Sequence, residues 1–367
     1  MRQLATTINR MPVRTWRWLR VNDAALDLVG PDNAAVPEGV PIRASGQIIV
    51  ERDFRGLTLN GDLTGPFVPA EMGTFIEENA NLKYLIRIPK GHAEREPIVL
   101  ALRLDAENPA LVDDIVIEAE EGSSAEVILY YTSEQNTPVR HCGRTRVIAR
   151  RNAMVKLVKV QMLNSAAAHT DAIGGVVEED ARLDVITAEL GAARPLSSCN
   201  LLLKGEGGGA NLDVLYLGDG ERALDLSCRV EHRGKKTSSG IHAKGILLER
   251  SKKVLRDTLD FISGASGSKG REEESVLMLS PEVQNVSVPL LLCGEDDVEG
   301  EHAATSGRPD DKVLFYLMSR GINELEAKKL LAQAAFSSTV EKIPDASVRE
   351  SILTAVRESI ERGGKTV

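Results

Sequence analysis

Gly122-Ser-Ser-Ala125-Glu-Val-Ile-Leu129, Arg150-Arg-Asn-Ala153-Met-Val-Lys-Leu-Val158, Glu178-Glu-Asp-Ala181-Arg-Leu-Asp-Val-Ile186 and Gly207-Gly-Gly-Ala210-Asn-Leu-Asp-Val-Leu215 are four versions of one phrase. Each has a polar turn, a small alanine, then alternating aliphatic residues. The spacing is roughly 28 residues, inside the window that marks a repeat architecture. No long helical pattern separates the copies. Parallel strands in one sheet usually need a helical crossover, whereas the coils of a β-helix stack with strands and turns alone. A small residue at the corner is what a tightly layered turn admits.

Working outward, Tyr84–Ile88, Ile98–Leu104 and Ile115–Glu118 precede the repeat as short β-rich runs. Ile241–Leu248, Val254–Ile262 and Val276–Leu279 follow it in the same style. The expectation is a mainly β fold, a parallel β-helix spanning 83–309. A β-sandwich with coincidental spacing is the rival. Residues 1–82 form a separate N-terminal segment with short strands and some helix, and 31–41 reads as a linker rich in Pro, Asn and Asp. From 310 to 367 the pattern is helical. Leu314, Leu317 and Met318 share a face, Leu325, Leu330, Leu331, Ala334 and Ala335 make a second stripe, and Val348, Ile352, Val356 and Ile360 a third. These three helices are expected to cover the unpaired edges of the last coil.

Composition narrows the function. The 367 residues carry a formal charge of −9, which argues against nucleic acid and anionic membrane surfaces as partners. There is no apolar run long enough to span a bilayer and no secretory h-region, so a cytoplasmic protein without membrane insertion is expected. The four cysteines stand far apart with no Cys-x-x-Cys pair, against both a disulfide framework and a cysteine-only zinc site. Gly205-Glu-Gly207-Gly-Gly-Ala210 matches a dinucleotide fingerprint, but a strand pattern follows it where a helix is required. Gly364-Lys365-Thr366 resembles only the tail of a phosphate loop. This chain is expected to bind no nucleotide. Asp225, His232 and Ser238 invite a triad reading, yet Ser238 lacks the strand-to-helix elbow that exposes a nucleophile. His232 and His242 read as stacking or turn residues.

One cluster carries ligand chemistry. Glu295, Asp296, Asp297, Glu299, Glu301 and His302 follow an apolar strand, with Cys293 just before them. Either His302 and Cys293 ligate a metal with carboxylate help from Glu301, or this is a solvated acidic turn. The run Pro289…Asp296-Asp297-Val298…Glu301-His302-Ala303-Ala304-Thr305…Leu314-Phe315-Tyr316-Leu317…Ser319-Arg320-Gly321-Ile322…Glu326-Ala327 resembles the C-terminal signature of the SufB/SufD family. Asp225…His232-Arg-Gly234…Ser238 and, near the start, Pro12…Trp16-Arg-Trp18 are similar to further elements of that family.

The resemblance implies a right-handed parallel β-helix with flanking helices and a role in iron–sulfur cluster assembly. It also implies a non-enzymatic scaffold that pairs with itself or a paralogue and partners a SufC-like ABC-type ATPase. In SufD-like members the histidine matching His302 is functional, which makes a transient or dimer-shared iron–sulfur cluster the implied cofactor. The partner surface is then the helical stretch bearing Leu314, Phe315, Tyr316, Arg320, Leu325 and Leu330. The chain departs from the family where SufD-like members often carry cysteine (Gly300 here), where SufB-like members carry glutamate after the histidine (Ala303), and where they place a thiolate (Glu274). Two rivals remain: a structural solenoid with no metal role, and a β-helical polysaccharide-active enzyme, which scarce aromatics and negative charge disfavour.

Overall fold

The computed structural model describes residues 3–15, 17–31, 42–54 and 68–363. The repeat is indeed a coil. Strands of one sheet are β5 (Leu82–Ile88), β7 (Ala110–Ala119), β9 (Arg140–Ala149), β11 (Ala168–Val177), β13 (Arg194–Leu203), β15 (Ala223–His232), β17 (Lys252–Phe261) and β19 (Gln284–Cys293). They alternate along the chain with β6 (Ile98–Leu104), β8 (Ser124–Ser133), β10 (Met154–Met162), β12 (Arg182–Glu189), β14 (Gly209–Gly218), β16 (Ser238–Leu247), β18 (Ser268–Met278) and β20 (Val298–Gly307) in the second sheet. All neighbours within this set pair in parallel. Eight coils of a two-sheet β-solenoid result, with an aliphatic interior running from Leu82 to Val276.

The repeated phrase decides the corner between the two sheets. Gly91, Gly122, Asn152, Asp180, Gly207, Lys236 and Gly267 occupy equivalent corners, and all have positive φ. Each donates its N–H to the next coil, as in Gly122 to Arg151 O (3.0 Å), Asn152 to Glu179 O (2.9 Å) and Asp180 to Glu206 O (3.0 Å). Gly, Asn and Asp tolerate this conformation best, which is why those residues punctuate the repeat. The glycine fingerprint is one of these corners. A Cβ on Gly205 would stand 2.0 Å from the Glu179 backbone nitrogen, so this glycine is there for coil packing.

The four alanines are not one structural position. Ala125, Val155, Leu183, Ala210, Ser239, Gly270 and Gly300 are in register. Ala153 and Ala181 sit two residues earlier, buried in the turn. Coils vary in length, so equal spacing in sequence drifts against the register.

The outer faces are covered by different parts of the chain. A hairpin of β1 (Gln3–Ile8) and β2 (Ala24–Val29), with helix α1 (Ala70–Asn79), packs Ile8, Leu26, Met72 and Ile76 onto the first sheet at Val112, Cys142, Ala172 and Leu196. Arg256 fixes the hairpin's loop, donating from Nε to Val21 O (2.6 Å) and pairing with Asp225 (2.6 Å). Strands β3 (Ile42–Arg43) and β4 (Ile49–Arg52) add antiparallel to β6 and β5 and close the first coil. Trp18 is exposed, while Trp16, most of the 31–41 linker and Gly364-Lys365-Thr366 lie outside the described residues.

Helices α2 (Asp311–Ser319), α3 (Glu324–Val340) and α4 (Ala346–Gly363) complete the chain. Asp310 and Asn323 cap α2 and α3 through side-chain oxygens, and Gly321 (φ 87°) ends the first as a left-handed C′ residue. The expectation that these helices cover the last coil is corrected. Ala332, Phe336, Val340, Ile352, Val356 and Ile360 pack on Val158, Ile186, Leu215, Leu217 and Ile246, the flank of the second sheet. That flank is apolar on its outward positions, so burial there outweighs capping an end. The α4 stripe is buried as expected. On α3 the buried face is Ala327, Ala332, Phe336 and Val340, with Leu330 exposed, because apolar residues occur all round this helix and its periodicity selects no face.

Candidate functional site

The last coil, β19 and β20, has one neighbour each and an outer edge that none of the described strands pairs. Its side-chain directions follow from register, since aligned residues in parallel strands point the same way. On β18, Gly270, Glu272 and Glu274 are buried while Arg271 and Glu273 are exposed. His302 aligns with Glu272 and Gly300 with Gly270, so both face the interior. On β19, Cys293 aligns with buried Phe261, Leu291 with Leu259 and Pro289 with Asp257. His302 and Cys293 thus lie on the inward face of the terminal coil from its two sheets, and both are exposed because no further coil stacks on them.

Glu301 points the other way. It faces Arg271 on the outer surface at 3.9 Å. The acidic turn is likewise engaged elsewhere: Glu295 accepts from Gly264 N (2.9 Å), Asp297 from Ser266 Oγ (2.6 Å), and Glu299 pairs with Lys269 (2.8 Å). The structure brings His302 and Cys293 to one end of the solenoid and separates them from the carboxylates beside them in sequence. Gly300 has a steric reason as well. A Cβ there would meet Leu291 Cδ1 at 2.7 Å, so a cysteine at this position would require Leu291 to move.

Sequence reasoning singled out Glu274 only as a departure from the family and missed the buried charged group it joins directly below. Lys253 donates to Glu274 at 2.5 Å, Tyr216 OH donates to the same carboxylate at 2.6 Å, and Ser287 of the last coil bonds its other oxygen. Burial pulls the Lys253 ammonium below its usual range, against the raising effect of Glu274. Burial also pushes Asp257 up to about 7 and Glu272 up to about 8. The sequence signal was there: Glu272 and Glu274 alternate with exposed residues at the period of a strand, on the face that carries aliphatics in earlier coils. A second polar nest lies deeper, where His141 contacts His169 (2.8 Å, Nδ1 to Nδ1) and Asp113 (2.5 Å).

His232 bonds Thr237 (2.7 Å) and Ser239 (2.8 Å) and stacks on Phe261, with ring centroids 4.5 Å apart. Asp225 faces outward to Arg256. The triad residues are therefore not brought together, and His232 is a stacking residue as read. At the other end of the chain, Phe315, Tyr316, Arg320 and Leu330 are exposed, Leu314 is half-buried, and Leu325 turns inward onto the helix–sheet core.

Sequence comparison decides the family. The profile described as "SUF system FeS cluster assembly, SufBD core domain" matches residues 102–335, which takes in all but the first coil, the last-coil residues, α2 and most of α3. The chain belongs to the SufBD family. Its SufBD relatives include the iron–sulfur cluster assembly protein SufD of Bacillus subtilis, 26% identical over 275 residues, covering 74% of this chain and 63% of the relative. SufBD family proteins of Staphylococcus saprophyticus and Staphylococcus epidermidis are 26% identical over 261 residues, covering 71% of this chain and 56% of each relative. The matched stretch thus spans less than two thirds of these relatives. Among the described residues no helix is long and apolar enough to cross a membrane.

Proposed function

We propose that this chain is a cytoplasmic, non-enzymatic scaffold of iron–sulfur cluster assembly that works as a pair. Its partner chain is a second copy or a paralogue, and an ABC-type ATPase binds its C-terminal helices. The observation that carries this reading is the open last coil. No described strand pairs its two outer edges, and its inward face presents an imidazole and a thiol at the surface where a second chain would meet it. An unpaired edge is a template for another strand. Cys293 and His302 are the donors this chain would contribute to a cluster shared across the pair, thiolate being the usual ligand and histidine a known replacement. The cluster is cargo, assembled and passed on.

The ATPase surface is the exposed face of α2, with Phe315 at 74% and Tyr316 at 56% exposure, Val313 and Met318 beside them, and Leu330 on α3. Aromatic residues that protrude without covering a core are typical binding anchors. ATP-driven approach of two bound ATPase subunits would move the paired scaffolds, and differential affinity for the two arrangements supplies the free energy. The test is co-purification with the ATPase and anaerobic reconstitution with iron and sulfide. Phe315→Ala with Tyr316→Ala is expected to abolish ATPase capture while the fold stays intact, and His302→Ala to weaken the cluster absorption. Undiminished capture and unchanged spectra would refute the assignment.

A further inference from the structure

The interior beneath the last coil holds more negative charge than partners. Asp257, Glu272 and Glu274 are buried there against one ammonium, Lys253. Glu274 is fully engaged by Lys253, Tyr216 and Ser287. Among the described residues neither oxygen of Glu272 has a side-chain partner, the Leu259 backbone being the one polar group beside it, and Asp257 Oδ1 is unpartnered. Both side chains are more than nine-tenths buried, at 2% and 4% exposure. They come from opposite sheets, Asp257 under Pro289 and Glu272 under His302, both on inward-facing positions, and the Asp257 charge is near enough to push the Glu272 carboxyl up. With all three carboxyls ionised, the group carries a net charge of −2, an arrangement too costly to leave uncompensated in a dry core.

We propose that Asp257 and Glu272 together hold one hard divalent cation, of the Mg2+, Mn2+ and Fe2+ class, between the two sheets under the last coil. One such ion balances the charge. Carboxylate donors without a thiolate select hard cations over soft ones. Among the described residues no three His, Cys, Asp or Glu side chains already form a metal shell, so water supplies the remaining positions. That is the usual state of Mg2+ on one or two carboxylates. The uncovered end of the solenoid is the route in, past the exposed His302. This site lies one coil below the proposed Cys293 and His302 donors, uses neither of them, and does not depend on the cluster reading.

The experiment uses the full chain alone, stripped with chelator and titrated with Mn2+, bound ion being read from loss of the free-ion electron paramagnetic resonance signal. Wild type is expected to bind one Mn2+ per chain, with Mg2+ competing and with a rise in melting temperature. Asp257→Asn and Glu272→Gln keep the shape and remove the charge, so each is expected to fold and to bind at least about tenfold more weakly. Glu299→Gln with Glu301→Gln, on the outer surface, is expected to bind like wild type. No Mn2+ binding by wild type overturns the proposal. So does binding that survives both interior variants, or that is lost with the outer pair. Should one interior variant fail to fold, by far-ultraviolet circular dichroism, the other decides. ATPase capture by these variants is a separate readout, so failure here leaves the scaffold reading standing and failure there leaves this one.

Discussion

Lowering the pH from 8 to 5 is expected to cost the fold about 2 kcal/mol through one residue, His232. The ring is fully buried between coils, stacked on Phe261 and bonded to Thr237 and Ser239. Burial lowers its pKa from 6.5 to about 4. The depressed value fixes the sign. The unfolded chain takes up the proton near pH 6.5 and the folded chain only near 4, so stability present above pH 6.5 is lost progressively through that window. Each unit is worth about 1.4 kcal/mol, giving about 3 kcal/mol once pH 4 is passed and about 2 kcal/mol by pH 5. Urea midpoints measured between pH 8 and 5 test it, comparing wild type with His232→Gln, whose amide can still reach both hydroxyls. Lost stacking lowers the variant's stability by a constant, whereas the proton linkage changes its slope. The difference between the two chains should therefore shrink by about 2 kcal/mol from pH 8 to pH 5. Parallel profiles would show that this ring takes up its proton equally in both states, and the burial argument would fail.

Phe336→Ala should cost about 3–5 kcal/mol, since this ring is wholly buried between α3 and the second sheet, while exposed Phe315→Ala should change stability by less than about 0.5 kcal/mol; thermal melts of the two compare them directly. Lys253→Met leaves Glu274 buried without its cation, and an expected loss of about 3–5 kcal/mol is measurable by urea unfolding. Gly205→Ala drives a methyl into the Glu179 backbone and should lower the melting temperature sharply, whereas Gly91→Ala, at a corner with open space, should cost only the backbone strain of its positive φ. Truncation after Asp310 is expected to yield insoluble protein, because it strips the cover from Val158, Ile186, Leu215 and Ile246; a soluble, cooperatively melting truncation would contradict the helix–sheet packing.

The solenoid was legible because its corners leave chemical marks. Gly122, Asn152, Asp180 and Gly207 recur where the chain must turn left-handed, and few other residues do this cheaply. What lay between the corners was harder. Coil lengths vary, so a residue's inward or outward direction depends on a register that spacing alone does not fix. Glu301 and His302 are adjacent in sequence, yet the strand sends them to opposite surfaces. Asp257 and Glu272 are fifteen positions apart along the chain, and only the stacking of two sheets places both in one interior. The α2 aromatics could be singled out because nothing nearby in sequence balanced them, whereas the buried face of α3 could not be chosen from a helix apolar on all sides.

The two ends of this rod are chemically unlike. One is finished by short antiparallel segments, β3 and β4, running against the grain of the sheets; the other stops mid-pattern with its amides and carbonyls on offer. A protein whose two ends matched would polymerise, each molecule extending the last into a filament. Growth by edge pairing would therefore have a single polarity: a second solenoid docking its own raw end here would leave none to extend.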